Sequence, residues 1–184
     1  HLYNYTIEQN PAPEMGPYTN VPRHLSFFHS STVNIAAATG NVAVMGIRVN
    51  SMFAGDAFNY QLVNIKLKSV EISLPTLSDE CIMSVFVSPT MAGGQHTWNA
   101  YGWAEYTDQS TAITISGSSL PIASKYCLNT IGSTTFVLDL KEDKVGIHDY
   151  SYNDGPQPPQ STIFVAIRPI TTFVDVKVGM NWWY

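Results

Sequence analysis

Residues 173 to 183 alternate with a period of two. Val174, Val176, Val178, Met180 and Trp182 fall on one side, and Asp175, Lys177, Gly179 and Asn181 fall on the other. Successive side chains point to opposite faces in a strand and not in a helix, so Phe173 to Trp183 is predicted to be a strand with one buried face. A strand cannot bury that face alone; it needs a sheet and a second layer to pack against.

The rest of the chain supplies such elements. Leu25 to Ala37 is rich in Phe27, Phe28, Val33 and Ile35 and ends at Thr39-Gly40-Asn41, and Val42 to Phe53 alternates through Val42, Val44, Gly46/Ile47 and Val49. Tyr60 to Leu74 keeps a period of two, with Ile65, Leu67, Ser69, Glu71 and Ser73 on one side and Lys66, Lys68, Val70 and Ile72 on the other, so neither face is purely apolar. Cys81 to Ser88, Thr111 to Ser116, Thr134 to Leu140 and Thr162 to Ile170 complete, with Phe173 to Trp183, a set of eight strand candidates. One segment reads as helix: Leu120 to Asn129, with Ser118 or Ser119 as cap, Pro121 in the first turn and Gly132 at the end. Short strands, Gly/Pro-rich turns and no regular helix alternation predict an all-β, eight-stranded antiparallel jelly-roll sandwich with long loops and one short helix. Residues 1–22, with Pro11, Pro13, Gly16, Pro17 and Pro22, read as an extended arm, and residues 23–184 as the jelly-roll domain. Asn4-Tyr5-Thr6 is a glycosylation sequon of a kind that arises by chance in a chain this long.

Composition narrows the function. Charged residues are only 12% of the chain while hydrophobic ones are 45%, and the charged share is about half that of an ordinary soluble protein. The net charge is −5 and the nine basic residues are scattered, so these residues hold no stripe for gripping phosphates. No apolar run reaches the ~18 residues of a membrane-spanning helix, and the start of the chain lacks a signal-peptide pattern. The chain opens at His1 rather than Met, as a processed or trimmed chain does. Cys81 and Cys127 are the only cysteines, and the apolar surroundings of Cys81 favour buried free thiols over a bridge.

Motifs for chemistry are absent from the sequence: no Gly-x-Ser-x-Gly elbow, no phosphate-cradling glycine loop and no His-Glu-x-x-His. His24, His29, His96 and His148 stand apart, without a cysteine or carboxylate at zinc-ligand spacing. Catalytic residues, resident metals and cofactors are therefore not expected. The loose carboxylates Asp139, Glu142 and Asp143, and Asp149 and Asp154, read as solvated turns, with calcium at a subunit interface as the alternative. Two long connections carry aromatic residues: Trp98, Tyr101, Trp103 and Tyr106 in 89–110, and Tyr150 and Tyr152 in 141–161. Aromatics on loops either fold back onto their own domain or meet a partner. With Trp183 and Tyr184 these residues form the candidate subunit interface, and Arg23, Lys66 and Lys68 are the candidates for facing a genome.

The segment Val42 to Tyr60, containing Arg48-Val49-Asn50-Ser51-Met52-Phe53-Ala54-Gly55-Asp56, resembles a segment in the capsid proteins of small circular single-stranded DNA viruses. The closing strands 162–170 and 173–183 are similar to those of many small icosahedral jelly-roll capsids. Ala54-Gly55 stands where the family's usual proline follows the aromatic, and an Arg/Lys-rich N-terminal arm is missing. The resemblance implies a shell subunit in a virion: a homo-oligomer of many copies, holding viral nucleic acid through a basic arm outside these residues. A secreted jelly-roll carbohydrate-binding module, extracellular and using exposed Trp and Tyr rings, is the competing reading.

Overall fold

The computed structural model describes residues 24–28, 33–36, 40–49, 64–94, 96–101, 104–107, 113–140, 146–148 and 162–183. They form fourteen strand segments and no helix. In chain order these are β1 (His24–Phe28), β2 (Val33–Ala36), β3 (Val42–Val49), β4 (Asn64–Leu74), β5 (Glu80–Val87), β6 (Met91–Ala92) and β7 (Asn99–Tyr101). There follow β8 (Ala104–Thr107), β9 (Thr114–Ile115), β10 (Ala123–Leu128), β11 (Thr134–Asp139), β12 (Gly146–His148), β13 (Thr162–Pro169) and β14 (Phe173–Trp183).

Two antiparallel sheets face each other. One runs β1-β14-β4-β11, with β2 also on β14 and β12 on β4; the other runs β10-β5-β13-β3-β8-β7, with β6 and β9 attached through β3. The chain crosses between sheets from β2 to β3, β3 to β4, β4 to β5, β10 to β11, β12 to β13 and β13 to β14, and its last two strands sit inside the two sheets. This interleaving of early and late strands is that of a jelly-roll sandwich.

The core lies between the sheets. β14 contributes Val174, Val176, Val178, Met180 and Trp182, as its alternation requires. Against them pack Leu67, Val70, Ile72 and Leu74 of β4, Met83 and Val85 of β5, and Ile163, Val165 and Ile167 of β13. The mixed faces of β4 have a structural cause. Asn181 pairs with Ser69 while Trp182 pairs with Leu67, which leaves Lys68 as an extra residue, a β-bulge. One added residue moves the alternation to the other face, so Leu67 and Val70 both point inward. A second bulge at Val44 acts likewise in β3, where Met45 pairs with Val165 and Ala43 with Ala166.

The eight-strand helix-containing description is corrected in two respects. Residues 123–128, read from sequence as helix, are strand β10, paired with β5 from Ala123↔Val85 to Leu128↔Glu80. Leu120, Ala123 and Cys127 carry helical spacing, but Ile122, Tyr126 and Leu128 are apolar and exposed, so an apolar outer face blurred the period of two. Among the described residues β5 has no other neighbour on that side, and the pairing overrides local propensity. The Thr111–Ser116 candidate contributes only the two-residue β9, and its place among the principal strands passes to β10.

Candidate functional site

The outer face of the larger sheet carries a second apolar cluster. Ala43, Phe86, Phe164, Ala166 and Ile115 are buried there, with Met91 and Trp98 packed against them. Alternation places Phe164 and Ala166 opposite the core-facing Ile163, Val165 and Ile167, so β13 is buried on both faces. Gly46 makes room for this: a Cβ at that position would lie 2.5 Å from Cε1 of Phe164. The chain from 96 to 98 closes over the ring. His96 stands 4.7 Å from Phe164 between centroids, and Trp98 meets Phe164 edge-on at 5.7 Å. Arg48 places its guanidinium 4.3 Å above the Trp98 ring and donates from Nε to Glu105 Oε2 at 2.5 Å. A partly buried cation over an indole, tied to a carboxylate, fixes both side chains. His96 Nδ1 lies 3.2 Å from Thr107 Oγ1, and burial pushes its pKa below the ordinary histidine value.

The opposite end of the same sheet is uncovered among the described residues. Leu120, Ile122, Tyr126 and Leu128 are exposed beside Ser124, and Tyr126 donates its hydroxyl hydrogen to Glu80. Lys125 turns away from this surface and donates from Nζ to the carbonyl oxygen of Val137, joining the edges of the two sheets at 2.6 Å. Beneath the surface, Cys81 and Cys127 are directly opposed across β5 and β10, both free and fully buried. The hydrogen bond to Cys127, followed by burial, raises the Cys81 thiol far above the usual range. The same hydrogen bond lowers the Cys127 thiol below its usual range, and burial closes both sulfurs to solvent.

Asn129 organises the corner next to this edge. Its buried amide donates to the carbonyl oxygens of Leu74, Thr76 and Gly132 at 2.7–2.8 Å, while its Oδ1 accepts from Ile131 N, Gly132 N and Thr134 Oγ1. Gly132 has φ +101°, which a glycine adopts without strain. One side chain thus ties the β4–β5 connection to the β10–β11 connection.

The sequence-derived candidates divide accordingly. Trp98 and Tyr106 are partly buried, Trp98 within the cluster and Tyr106 on β8 opposite Ile47. Tyr101 lies on β7 opposite Ala104, and Trp183 on β14 opposite His24 and Lys66, with their side chains outside the description. Trp103, Tyr150, Tyr152, Tyr184 and Arg23 lie outside the described residues, as do Asn50 to Asp56, Glu142, Asp143, Asp149 and Asp154. Lys66 is on β4, and Lys68 is the partly buried bulge residue. Asp139 ends β11 opposite Ser69. Sequence reasoning missed the exposed face of β10, the Arg48–Trp98 stack and Asn129. The first was hidden by the helix reading. The other two join residues far apart in the chain, with no local signal.

No protein-family model matches the chain, and no curated protein matches it. Among solved structures it is similar to a chain of sacbrood virus of honeybee in expansion state II, at 14% identity and TM-score 0.27 over 85% of this chain and 80% of that one. It is also similar to a chain of Israeli acute paralysis virus heated to 63 degrees (full particle), at 12% identity and TM-score 0.30 over 89% of this chain and 67% of that one. Among the described residues no helix is long and apolar enough to cross a membrane.

Proposed function

We propose that this chain is the structural subunit of a viral shell that assembles from many copies of itself into an icosahedral particle, and that it is not an enzyme. The observation that carries this reading is the uncovered apolar surface around β10, with Leu120 at 84% and Ile131 at 79% exposure, in a chain with 12% charged residues. Surface of that kind is expensive to leave in water, and subunit interfaces lose charge in their centres and gain aromatic residues.

On this reading the sandwich is the rigid wall. Trp98 stiffens its outer face, and Tyr101, Trp103, Tyr106, Tyr150, Tyr152, Trp183 and Tyr184 belong to subunit contacts. Arg23, Lys66 and Lys68 face the genome, with the main basic charge carried elsewhere. Assignment to the circular single-stranded DNA virus capsids rests on segment 42–60 alone. Electron microscopy and light scattering of the purified chain test the proposal: closed particles of uniform size are expected over some range of salt and pH. A chain that stays monomeric under every such condition, and instead binds glycans, would replace it with the carbohydrate-binding reading.

A further inference from the structure

Cys81 and Cys127 are the only cysteines of the chain, and the register of β5 on β10 sets them directly opposite each other. In sequence they are separated by the whole excursion through β6 to β9. Both side chains belong to the core between the sheets, so both point to the same side of the strand pair. Directly opposed residues of an antiparallel pair hold their Cα atoms about 4.5 or 5.5 Å apart. Either spacing falls within the range of about 4.4–6.8 Å that a disulfide spans.

The thiols already share a hydrogen bond, with Cys81 as donor to Cys127. Cys127 Sγ in turn donates to the carbonyl oxygen of Lys125 at 3.6 Å. The bond from Cys81 favours the Cys127 thiolate, and the charge of Lys125 adds to it. Cys81 holds its proton more firmly for the same reason. Cys127 also lies on β10, the end strand of its sheet among the described residues. A strand held on one side parts from its sheet more readily than a central one. Burial keeps out a bulky reagent, whereas a peroxide is little larger than water and needs only a brief opening.

We propose that Cys81 and Cys127 form a reversible redox pair, closed by hydrogen peroxide into a cross-strand disulfide that pins β10 to β5. The inference is independent of what the chain assembles into. The Cys127 thiolate attacks one peroxide oxygen, and the O–O bond breaks. The leaving hydroxide takes up the proton that Cys127 gave up, which yields water and a sulfenic acid. The Cys81 sulfur then attacks the Cys127 sulfur and the S–O bond breaks. The Cys81 proton leaves with that hydroxide as a second water. Two thiols lose two electrons, and one peroxide is reduced to two waters. A small dithiol reverses the step by thiol–disulfide exchange. The bond closes a loop from residue 81 to residue 127, which contains Met91 and Trp98 of the cover over Phe164. Such a link constrains the unfolded chain, so it stabilises the fold as well as holding the edge strand.

The test treats the folded full chain, in dilute solution, with hydrogen peroxide, then denatures it and labels it with maleimide. Labelling should add nothing, whereas dithiothreitol before labelling should restore two adducts. Peptide mapping should find residues 81 and 127 in one cross-linked pair of peptides, lighter by two hydrogens. Hydrogen exchange of residues 123–128 should slow several-fold in the oxidised chain. Its melting temperature should rise by roughly 5 °C or more. Two adducts after prolonged peroxide treatment, oxygen retained on either sulfur, or a bridge between two chains overturns the proposal. A bridge that leaves exchange in 123–128 unchanged overturns the pinning of β10.

Discussion

Asn129 Nδ2 donates to the carbonyl oxygen of Leu74 at 2.8 Å, across 55 residues of sequence. Leu74 is the last residue of β4 in the smaller sheet, and Asn129 follows β10 in the larger one. The same side chain reaches Thr76, Gly132 and Thr134, so two corners that turn the chain from sheet to sheet share one buried amide.

Asn129→Ala removes every one of these bonds and leaves buried carbonyl oxygens without donors. The expected loss is about 3 kcal/mol, or roughly 6–12 °C in melting temperature for a chain of this size. Asn129→Asp should fall at least as far, because a carboxylate oxygen then faces the carbonyl oxygens of Leu74, Thr76 and Gly132. Thermal unfolding followed by circular dichroism measures both. A melting temperature within 2 °C of the parent (about 1 kcal/mol at most) would remove Asn129 from this role.

Gly46→Ala drives a methyl group into the buried ring of Phe164, with 2.5 Å between Cβ and Cε1. Overpacking of this kind costs about 1–3 kcal/mol. Phe164→Leu vacates the space the methyl group needs, so the double variant should be more stable than the sum of the two single losses by about 1 kcal/mol or more. Strict additivity in the cycle would mean that the two positions do not meet.

Acid should weaken the cover over Phe164. Burial holds His96 below its ordinary pKa, so the unfolded chain binds this proton more readily than the folded one. The stability from keeping His96 neutral is complete above about pH 6.5. It shrinks as the pH falls from there toward the folded-state pKa. Denaturant unfolding of wild type and His96→Gln from pH 7.5 to 5 checks this. The wild-type curve should fall more steeply, and parallel curves would contradict the assignment.

Cys81 and Cys127 should resist alkylation in the native chain, since both have 0% exposure beneath β10. Maleimide labelling followed by intact mass should show no adduct in buffer and two in denaturant. Both thiols should become reactive together, because the pairing of β10 with β5 holds both in the core. A native adduct on Cys127 within minutes would show that β10 leaves β5 far more readily than the pairing implies.

The two-layer fold could be read from the chain because β14 obeys its period without interruption, and β5, β11 and β13 are bounded by clear turn residues. β4 and β3 were harder: bulges at Lys68 and Val44 insert one residue each, and a reading that holds the period fixed then mixes the two faces. β10 was misread because an exposed strand face made of Ile122, Tyr126 and Leu128 lacks the polar half that marks a strand. Of the loop aromatics, Trp98 took the inward alternative, held by Arg48 and Phe164. That choice depends on residues 50 and 66 positions away in sequence, which no local pattern encodes.

The two strands at the middle of the sheets come late in the chain. β13 joins β5 to β3, and β14 joins β4 to β1 and β2. Until residues 162–183 exist, β3 has no β5 to reach and β4 lacks its inner neighbour, so every earlier strand waits with apolar surface open. The decisive step of folding is consequently the insertion of these two strands, a long-range closure rather than the formation of local turns. Removing β14 would not trim the molecule; it would divide one sheet in two and expose the floor of the other.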